Sequence, residues 1–191
     1  MKESSDKTSR REFLTTTGLV SAGIALGASP LNAAAYRNAK GANEKIRVGF
    51  IGVGNRGTQL LQLFMAKPQC EIAALCDVYE PYITRDRSQV DPRYIKDMPG
   101  QIPLMDEKFP NKVARYSDYR KLLEDKSIDA VCIAAPDHWH AIMTIDAIKA
   151  GKDVYIEKPL SKTIAEGRAM VNAWKGSKQI VTVGLNRRGA P

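Results

Sequence analysis

From Glu44 onward, short apolar runs alternate with longer stretches in which apolar residues recur every three or four positions. The short runs are rich in β-branched residues and predict strands, whereas the longer stretches predict amphipathic helices. The predicted strands lie within KIRVGFIGVG, EIAALCD, VARY, DAVCIAAP, DVYIEKP and QIVTVGL. The predicted helices lie within RGTQLLQLFMAK, PYITRDRSQV, SDYRKLLEDK, HAIMTIDAIKAGK and TIAEGRAMVNAWKGS.

This alternation predicts an α/β fold, a doubly wound parallel sheet of the Rossmann type that is covered by helices on both faces. Ser117 is the predicted N-cap of one helix, and Gly151 is predicted to end another. Residues 91–112 carry four prolines and little periodicity, so they are expected to form an exposed excursion. The nucleotide-binding domain is predicted to span residues 44–184.

The N-terminus, residues 1–35, has the composition of an export signal rather than of a folded domain. The segment Ser-Arg-Arg-Glu-Phe-Leu resembles the twin-arginine pattern, and alanines at 33–35 provide a cleavage site before Tyr36. A short membrane anchor is the alternative, but the apolar run is shorter than the roughly 18–20 residues that span a bilayer. We therefore expect export to the periplasm or beyond, with no stable membrane span once the signal is removed.

Composition narrows the class of ligand. The 191-residue chain has a formal charge of +8, but its basic residues are scattered among acids, and no nucleic-acid-binding motif is present. A nucleic-acid partner is therefore not predicted, and an anionic small ligand explains the excess charge equally well. The three cysteines, Cys70, Cys76 and Cys132, have neither disulfide nor metal-ligand spacing.

The turn after the first strand carries the clearest chemical signal. Gly52, Gly54 and Gly57 form G-x-G-x-x-G between a strand and a helix, the context in which this motif binds a dinucleotide. The helix N-terminus would then face the diphosphate with its N–H groups. Asn55 and Arg56 lie in the same turn and are counted among the predicted coenzyme contacts, although Arg56 could equally be a solvated side chain. A glycine-rich turn without a ligand is the alternative.

Asp77 ends the second strand, 25 residues beyond Gly52, close to the ~20 residues expected for an acid that binds a ribose 2′-hydroxyl. A carboxylate there repels a 2′-phosphate, which favours NAD over NADP. Arg85 and Arg87 could still serve such a phosphate, so NADP stays open.

In a parallel sheet the ligand binds beyond the carboxyl ends of the strands. Polar clusters follow three of the predicted strands at residues 137–140, 157–159 and 186–188, and we expect them to meet at one edge. Lys158 either takes part in chemistry there or marks a solvated strand end. His138 and His140 could begin a zinc site, but no third ligand is evident, so no metal site is predicted.

In this order, GFIGVGNRG, AAPDHWHA, AGKDVYIEKPLS and VGLNRR resemble the N-terminal half of the Gfo/Idh/MocA family of glucose-fructose oxidoreductases, inositol dehydrogenases and rhizopine-catabolism proteins. The resemblance covers about residues 44–191. It implies that Pro136 and His140 lie beside the coenzyme and that Lys158 faces the nicotinamide and the substrate hydroxyl. It also implies a cis bond before Pro159 that aims a partly desolvated lysine inward. Glu157 and Lys158 are counted among the predicted coenzyme contacts, and Glu157 either orients this lysine or marks the turn.

The resemblance implies hydride transfer from a sugar or cyclitol hydroxyl to NAD, with Lys158 as the catalytic residue. Two alternatives stay open: an NAD-dependent glycosidase of the same family, and a non-catalytic truncated NAD-binding domain. Family members are roughly twice as long, so residues 185–191 would begin a second, substrate-binding α/β domain that is absent or truncated here. A full-length protein could form a homo-oligomer.

Overall fold

The computed structural model describes residues 45–98 and 100–185. Within them, six parallel strands form one sheet in the order β3-β2-β1-β4-β5-β6. This is the order of dinucleotide-binding Rossmann sheets, and it confirms the predicted doubly wound fold. The strands are β1 (Ile46–Ile51), β2 (Cys70–Cys76), β3 (Ala114–Tyr116), β4 (Ala130–Ile133), β5 (Asp153–Glu157) and β6 (Val181–Gly184).

The helices connect successive strands, as parallel pairing requires. They are α1 (Asn55–Met65), α2 (Glu80–Thr84), α3 (Pro92–Asp97), α4 (Tyr119–Glu124), α5 (Asp137–Lys149) and α6 (Ile164–Lys175), with a 3₁₀ turn at Arg87–Gln89. The strand order reverses between β1 and β4, which places a crevice above the carboxyl ends of these two strands.

β1 shows why the apolar runs are nearly continuous. Val48 and Phe50 belong to one buried cluster and Ile51 to another. Successive side chains of a strand point to opposite faces of the sheet, so a strand buried on both faces must be apolar at almost every position. The same pattern in β4, where Val131, Cys132 and Ile133 are all buried, explains why these strands were recognisable in the sequence.

The expectation that residues 91–112 form an exposed excursion is wrong in part. Asp91 caps α3 by accepting a hydrogen bond from the Arg93 N–H, so a short helix begins this segment. Ile102 and Met105 are buried and pack with Val90 in a small third cluster. Isolated apolar residues between prolines give no periodic signal, but they are enough to fold the segment back onto the domain.

A buried ion pair fixes the same segment. Arg85 lies against Glu107 with 2.7 Å between Nη2 and Oε1, and the two side chains are only 4% and 2% exposed. Arg85 also donates to the Val53 carbonyl oxygen and to the Thr58 hydroxyl, each at 3.0 Å. The pair therefore anchors Glu107 to the loop that joins β1 to α1.

Two predicted helix boundaries are corrected. Asp118, not Ser117, caps α4, because its carboxylate accepts the Arg120 N–H. Helix α5 begins at Asp137, three residues before the predicted start, so its first turn carries the polar cluster that follows β4. The predicted end at Gly151 is confirmed by its left-handed backbone, with a φ of +76°.

Three sequence predictions lie wholly or almost wholly outside the described residues: the export signal at 1–35, the cluster at 186–188 and the start of a second domain at 185–191. Among the helices of residues 45–98 and 100–185, none combines the length and apolar character needed to cross a membrane.

Candidate functional site

A cavity of about 290 Å³ lies at the carboxyl ends of β4 and β5. It brings together the two polar clusters that follow these strands, as predicted, and adds a residue from the first turn of α1. Its lining consists of Arg56, Ala134, Ala135, Asp137, His140, Glu157, Lys158 and Pro159. A larger cleft of about 560 Å³ runs beside the edge strand β3 and shares none of these residues.

The turn between β1 and α1 has the geometry that its glycines predict. Gly52 adopts a φ of +85°, and a Cβ there would lie 2.7 Å from the Ala135 nitrogen. A Cβ on Gly57 would overlap the Gly52 carbonyl oxygen and lie 2.8 Å from its carbon. The tight turn at Gly52 and the close approach at Gly57 are therefore confirmed, while their contact with a coenzyme stays a prediction.

The start of α1 suits an anion. Gly54 is the N-cap, no side chain caps the helix, and the first turn contains no acidic residue. The first N–H groups of a helix carry partial positive charge and have no partner within the helix. Gly54 also leaves room above this turn, since an added Cβ would meet only the Tyr82 ring, at 3.3 Å. These features fit a diphosphate.

Asp77 lies beside this turn at the end of β2. One carboxylate oxygen accepts the Val53 N–H at 2.9 Å and the other accepts the Tyr79 N–H at 3.0 Å. Each carboxylate oxygen has a second lone pair, so the group could still accept bonds from two ribose hydroxyls. Burial and the neighbouring Asp77 charge raise the pKa of Cys76 to about 12, so that thiol stays protonated at neutral pH.

The two arginines that were considered for a 2′-phosphate have other partners. Arg85 is held by Glu107, as described above. Arg87 donates from Nη1 to the carbonyl oxygens of Ile102 at 3.0 Å and Pro103 at 2.6 Å. Both guanidinium groups are thus engaged in stabilising the segment after α3. The negative charge of Asp77 then favours NAD, which lacks a 2′-phosphate, over NADP.

Arg56 has a protein partner that the sequence did not indicate, while its contact with the coenzyme stays a prediction. Its Nη2 and Nε donate to Glu157 Oε1 at 2.7 and 2.9 Å. Glu157 is 3% exposed, and its second oxygen accepts the backbone N–H of Lys158 at 3.2 Å. The carboxylate therefore contacts the lysine through its main chain, which agrees with an orienting role more closely than with a solvated turn.

His140 is a buried connection between β4 and β5. It is 2% exposed. Its Nδ1 lies 2.5 Å from the Pro159 carbonyl oxygen and its Nε2 lies 2.8 Å from that of Ala135. The imidazole thereby links the chain segments that leave the two strands, and it lines the cavity together with Pro159.

Lys158 is exposed at the mouth of the cavity. The Lys158–Pro159 bond is cis, as the resemblance implied. Residues 45–98 and 100–185 leave Lys158 exposed, so this part of the chain does not itself desolvate the lysine, and partial desolvation beside a nicotinamide stays a prediction. Pro136 and Asp137 are exposed at the same edge.

The histidines near the cavity have other partners. Within the described part of the chain, no three His, Cys, Asp or Glu side chains are grouped as ligands. His138 lies 3.6 Å from Asp137 at the surface, whereas His140 points to carbonyl oxygens. Burial, followed by the Glu157 charge, raises the pKa of the Cys132 thiol, which makes this cysteine a core residue rather than a nucleophile.

Sequence reasoning missed the pairing of Arg56 with Glu157. The two residues are 101 positions apart, and no periodicity connects them. The available signal was Glu157 itself, since a carboxylate at the end of a buried strand requires a partner.

Together, the strand order, the glycine turn, the uncapped start of α1 and the acid at the end of β2 define a dinucleotide-binding Rossmann domain. Residues 46–185 match the model of GFO_IDH_MocA, described as an oxidoreductase family with an NAD-binding Rossmann fold. The chain belongs to this family, which confirms the resemblance seen in the sequence.

Two curated relatives illustrate the match. An alpha-N-acetylgalactosaminidase of Shewanella oneidensis is 33% identical over 174 residues, covering 82% of this chain and 35% of the relative. A glycosyl hydrolase family 109 protein of Saccharopolyspora erythraea is 34% identical, covering 83% and 35%. The chain thus spans about a third of the length of these relatives.

Solved structures agree on the fold. A probable dehydrogenase from Thermotoga maritima is 30% identical with a TM-score of 0.57, covering 74% of this chain and 37% of that one. Myo-inositol 2-dehydrogenase from Lactobacillus plantarum is 25% identical with the same TM-score, covering 74% and 36%.

Proposed function

We propose that this chain is the coenzyme-binding part of an NAD-dependent oxidoreductase that acts on a hydroxyl of a sugar or cyclitol. The observation that carries the proposal is the cavity at the carboxyl ends of β4 and β5, which brings Arg56, from the start of α1, together with Lys158. Bound NAD would supply a hydride acceptor next to the substrate carbon.

Each residue has a separate role in this proposal. The N–H groups at the start of α1 bind the diphosphate, with room provided by Gly54, and Asp77 accepts hydrogen bonds from the adenosine ribose. Lys158 accepts or returns the proton of the substrate hydroxyl through its Nζ. Glu157 holds the main chain of Lys158, and His140 holds the segment after it.

The glycosidase is the second candidate, and the curated relatives favour it. The Shewanella oneidensis protein is named for removing N-acetylgalactosamine, and several other relatives carry the glycoside-hydrolase name. In this alternative the same hydride step is transient, and oxidation makes a neighbouring C–H acidic enough for the glycosidic group to leave by elimination. A non-catalytic NAD-binding domain is the third candidate.

Calorimetric titration with NAD and NADP tests coenzyme binding and the role of Asp77. We expect the chain to bind NAD about tenfold or more tightly than NADP, because a carboxylate repels the 2′-phosphate and hydrogen bonds to a charged group contribute ~1.5–3 kcal/mol. Asp77→Asn keeps one acceptor for the Val53 N–H but removes the charge, so it should lower this preference. A chain that binds neither nucleotide contradicts the proposal, and a preference for NADP contradicts the role of Asp77.

Two products, measured in the presence of NAD, distinguish the three candidate functions. The Shewanella oneidensis relative is the control for glycosidase activity. Formation of NADH with a free sugar or cyclitol supports the oxidoreductase. Release of phenol from an aryl N-acetylgalactosaminide, without net NADH, supports the glycosidase. NAD binding with neither product supports the non-catalytic domain.

We also propose, from the sequence alone, that residues 1–35 direct export through the twin-arginine route. A reporter fused to this segment should reach the periplasm, and the double change Arg10→Lys and Arg11→Lys should retain it in the cytoplasm. Export that is unaffected by this change would contradict the proposal.

A further inference from the structure

The ion pair between Arg56 and Glu157 joins two parts of the site that are distant in sequence. Arg56 is the second residue of α1, within the G-x-G-x-x-G segment, and Glu157 is the last residue of β5. β4 lies between β1 and β5 in the sheet. The arginine side chain reaches across the end of β4, where the chain continues with the small residues Ala134 and Ala135 that line the same cavity.

Glu157 is enclosed on its other side by β6. Gly184 pairs with Glu157 in the sheet, and a Cβ on this glycine would overlap the Tyr155 hydroxyl and lie 3.2 Å from Glu157 Oε1. The carboxylate has little room to move, and its side chain is only 5% exposed, against 39% for Arg56. A buried carboxylate without a cation is strongly unfavourable, so the fixed carboxylate sets the position of the arginine.

The two carboxylate oxygens of Glu157 bind different segments. Oε1 accepts both bonds from Arg56, and Oε2 accepts the main-chain N–H of Lys158. One side chain therefore connects the start of α1, where the diphosphate would bind, to the residue that would face the nicotinamide. The diphosphate and the nicotinamide of a bound dinucleotide would contact the two segments that this carboxylate joins.

We propose that Arg56 and Glu157 are positioning residues that set the distance between the diphosphate site and Lys158. This inference rests on the proposed function, because it requires a dinucleotide that spans from α1 to β5. Neither side chain needs to touch the nicotinamide. The ion pair acts by holding the segment that carries Lys158. It therefore affects the affinity only for ligands that extend as far as that segment.

The test compares the affinities for NAD and for ADP-ribose, which carries the same diphosphate and both ribose rings but lacks nicotinamide. Any direct contact between Arg56 and the diphosphate affects both ligands and cancels in the ratio of their Kd values. We expect Glu157→Gln to reduce the preference for NAD over ADP-ribose by about tenfold, equivalent to ~1.4 kcal/mol. Arg56→Gln should reduce it similarly, and the double variant should lose no more than either single one.

Arg47 and Glu71 provide a matched control pair. Their ion pair measures 2.9 Å, and Arg47 is 39% exposed, the same fraction as Arg56, but the pair joins β1 to β2 near their amino ends. Glu71→Gln should leave the ratio of Kd values unchanged. Thermal unfolding of all variants reports any loss of stability separately.

The outcomes separate this inference from the proposed function. Failure of the unmodified chain to bind NAD or ADP-ribose overturns the proposed function. Equal affinity of the unmodified chain for both ligands overturns the positioning role but leaves dinucleotide binding intact. A Glu157→Gln variant that unfolds at a lower temperature, yet keeps the full preference for NAD, shows that the pair is structural only and overturns the inference.

Discussion

The Gly57→Ala substitution is expected to weaken NAD binding by at least about 100-fold, which corresponds to ~2.7 kcal/mol or more. The added Cβ would overlap the carbonyl oxygen of Gly52 and lie 2.8 Å from its carbon. Both are backbone atoms in a turn that is itself constrained by Ala134 and Ala135, so neither can move without opening the turn. The N–H groups at the start of α1 would then no longer point to a common position. Calorimetric titration with NAD measures the loss.

Two other glycines make this result interpretable. Nothing lies within 4 Å of a Cβ at Gly176, so Gly176→Ala should leave both NAD affinity and stability nearly unchanged. A Cβ on Gly54 would meet only the Tyr82 ring, so Gly54→Ala should fold normally but still weaken NAD binding by narrowing the approach to the turn. Normal NAD binding by a folded Gly57→Ala variant would refute the assignment of the turn.

The second large effect concerns stability. Glu107→Gln is expected to lower the free energy of unfolding by about 3–5 kcal/mol, because it leaves the Arg85 guanidinium buried without a counter-charge. Arg85 is 4% exposed and cannot turn to water without losing its bonds to Val53 and Thr58. Urea unfolding at neutral pH, followed by circular dichroism, measures the difference.

The exposed pair Lys121–Glu124 is the control, since its side chains are 65% and 64% exposed. Glu124→Gln should change the free energy of unfolding by less than about 1 kcal/mol. Replacing both buried partners, as Arg85→Met with Glu107→Leu, should be less destabilising than Glu107→Gln alone, because no buried charge is left unpaired. If Glu107→Gln proves as mild as Glu124→Gln, the buried pair does not hold the segment.

The glycine turn and the acid after β2 were predictable because their signals are local. G-x-G-x-x-G encodes a steric requirement within six residues, and the positive φ of Gly52 meets it. Asp77 was recognisable because it follows a continuous apolar strand. The proximity of the polar clusters around His140 and Lys158 was predictable because the strands are parallel, so that their carboxyl ends lie at one edge of the sheet.

The ion pairs were not predictable from the same reasoning. Arg85 and Glu107 stand in polar, proline-containing sequence, where charged residues are ordinarily exposed, and only the tertiary fold shows that both are buried. The exposure of Lys158 was missed for a different reason: the resemblance described a lysine within a complete enzyme, whereas desolvation depends on what covers the end of β5.

The central place of β1 in the sheet has a consequence for synthesis. Its first neighbour, β2, follows after a single helix, but its other neighbour, β4, arrives much later: Arg47 bonds to Asp129, 82 residues away. During synthesis on the ribosome, the edge of β1 that pairs with β4 therefore stays unpaired until β4 has emerged. An unpaired strand edge can pair with a strand of another nascent chain. While residues 77–133 are being synthesised, β1 therefore has one unpaired edge at which such pairing between chains can occur.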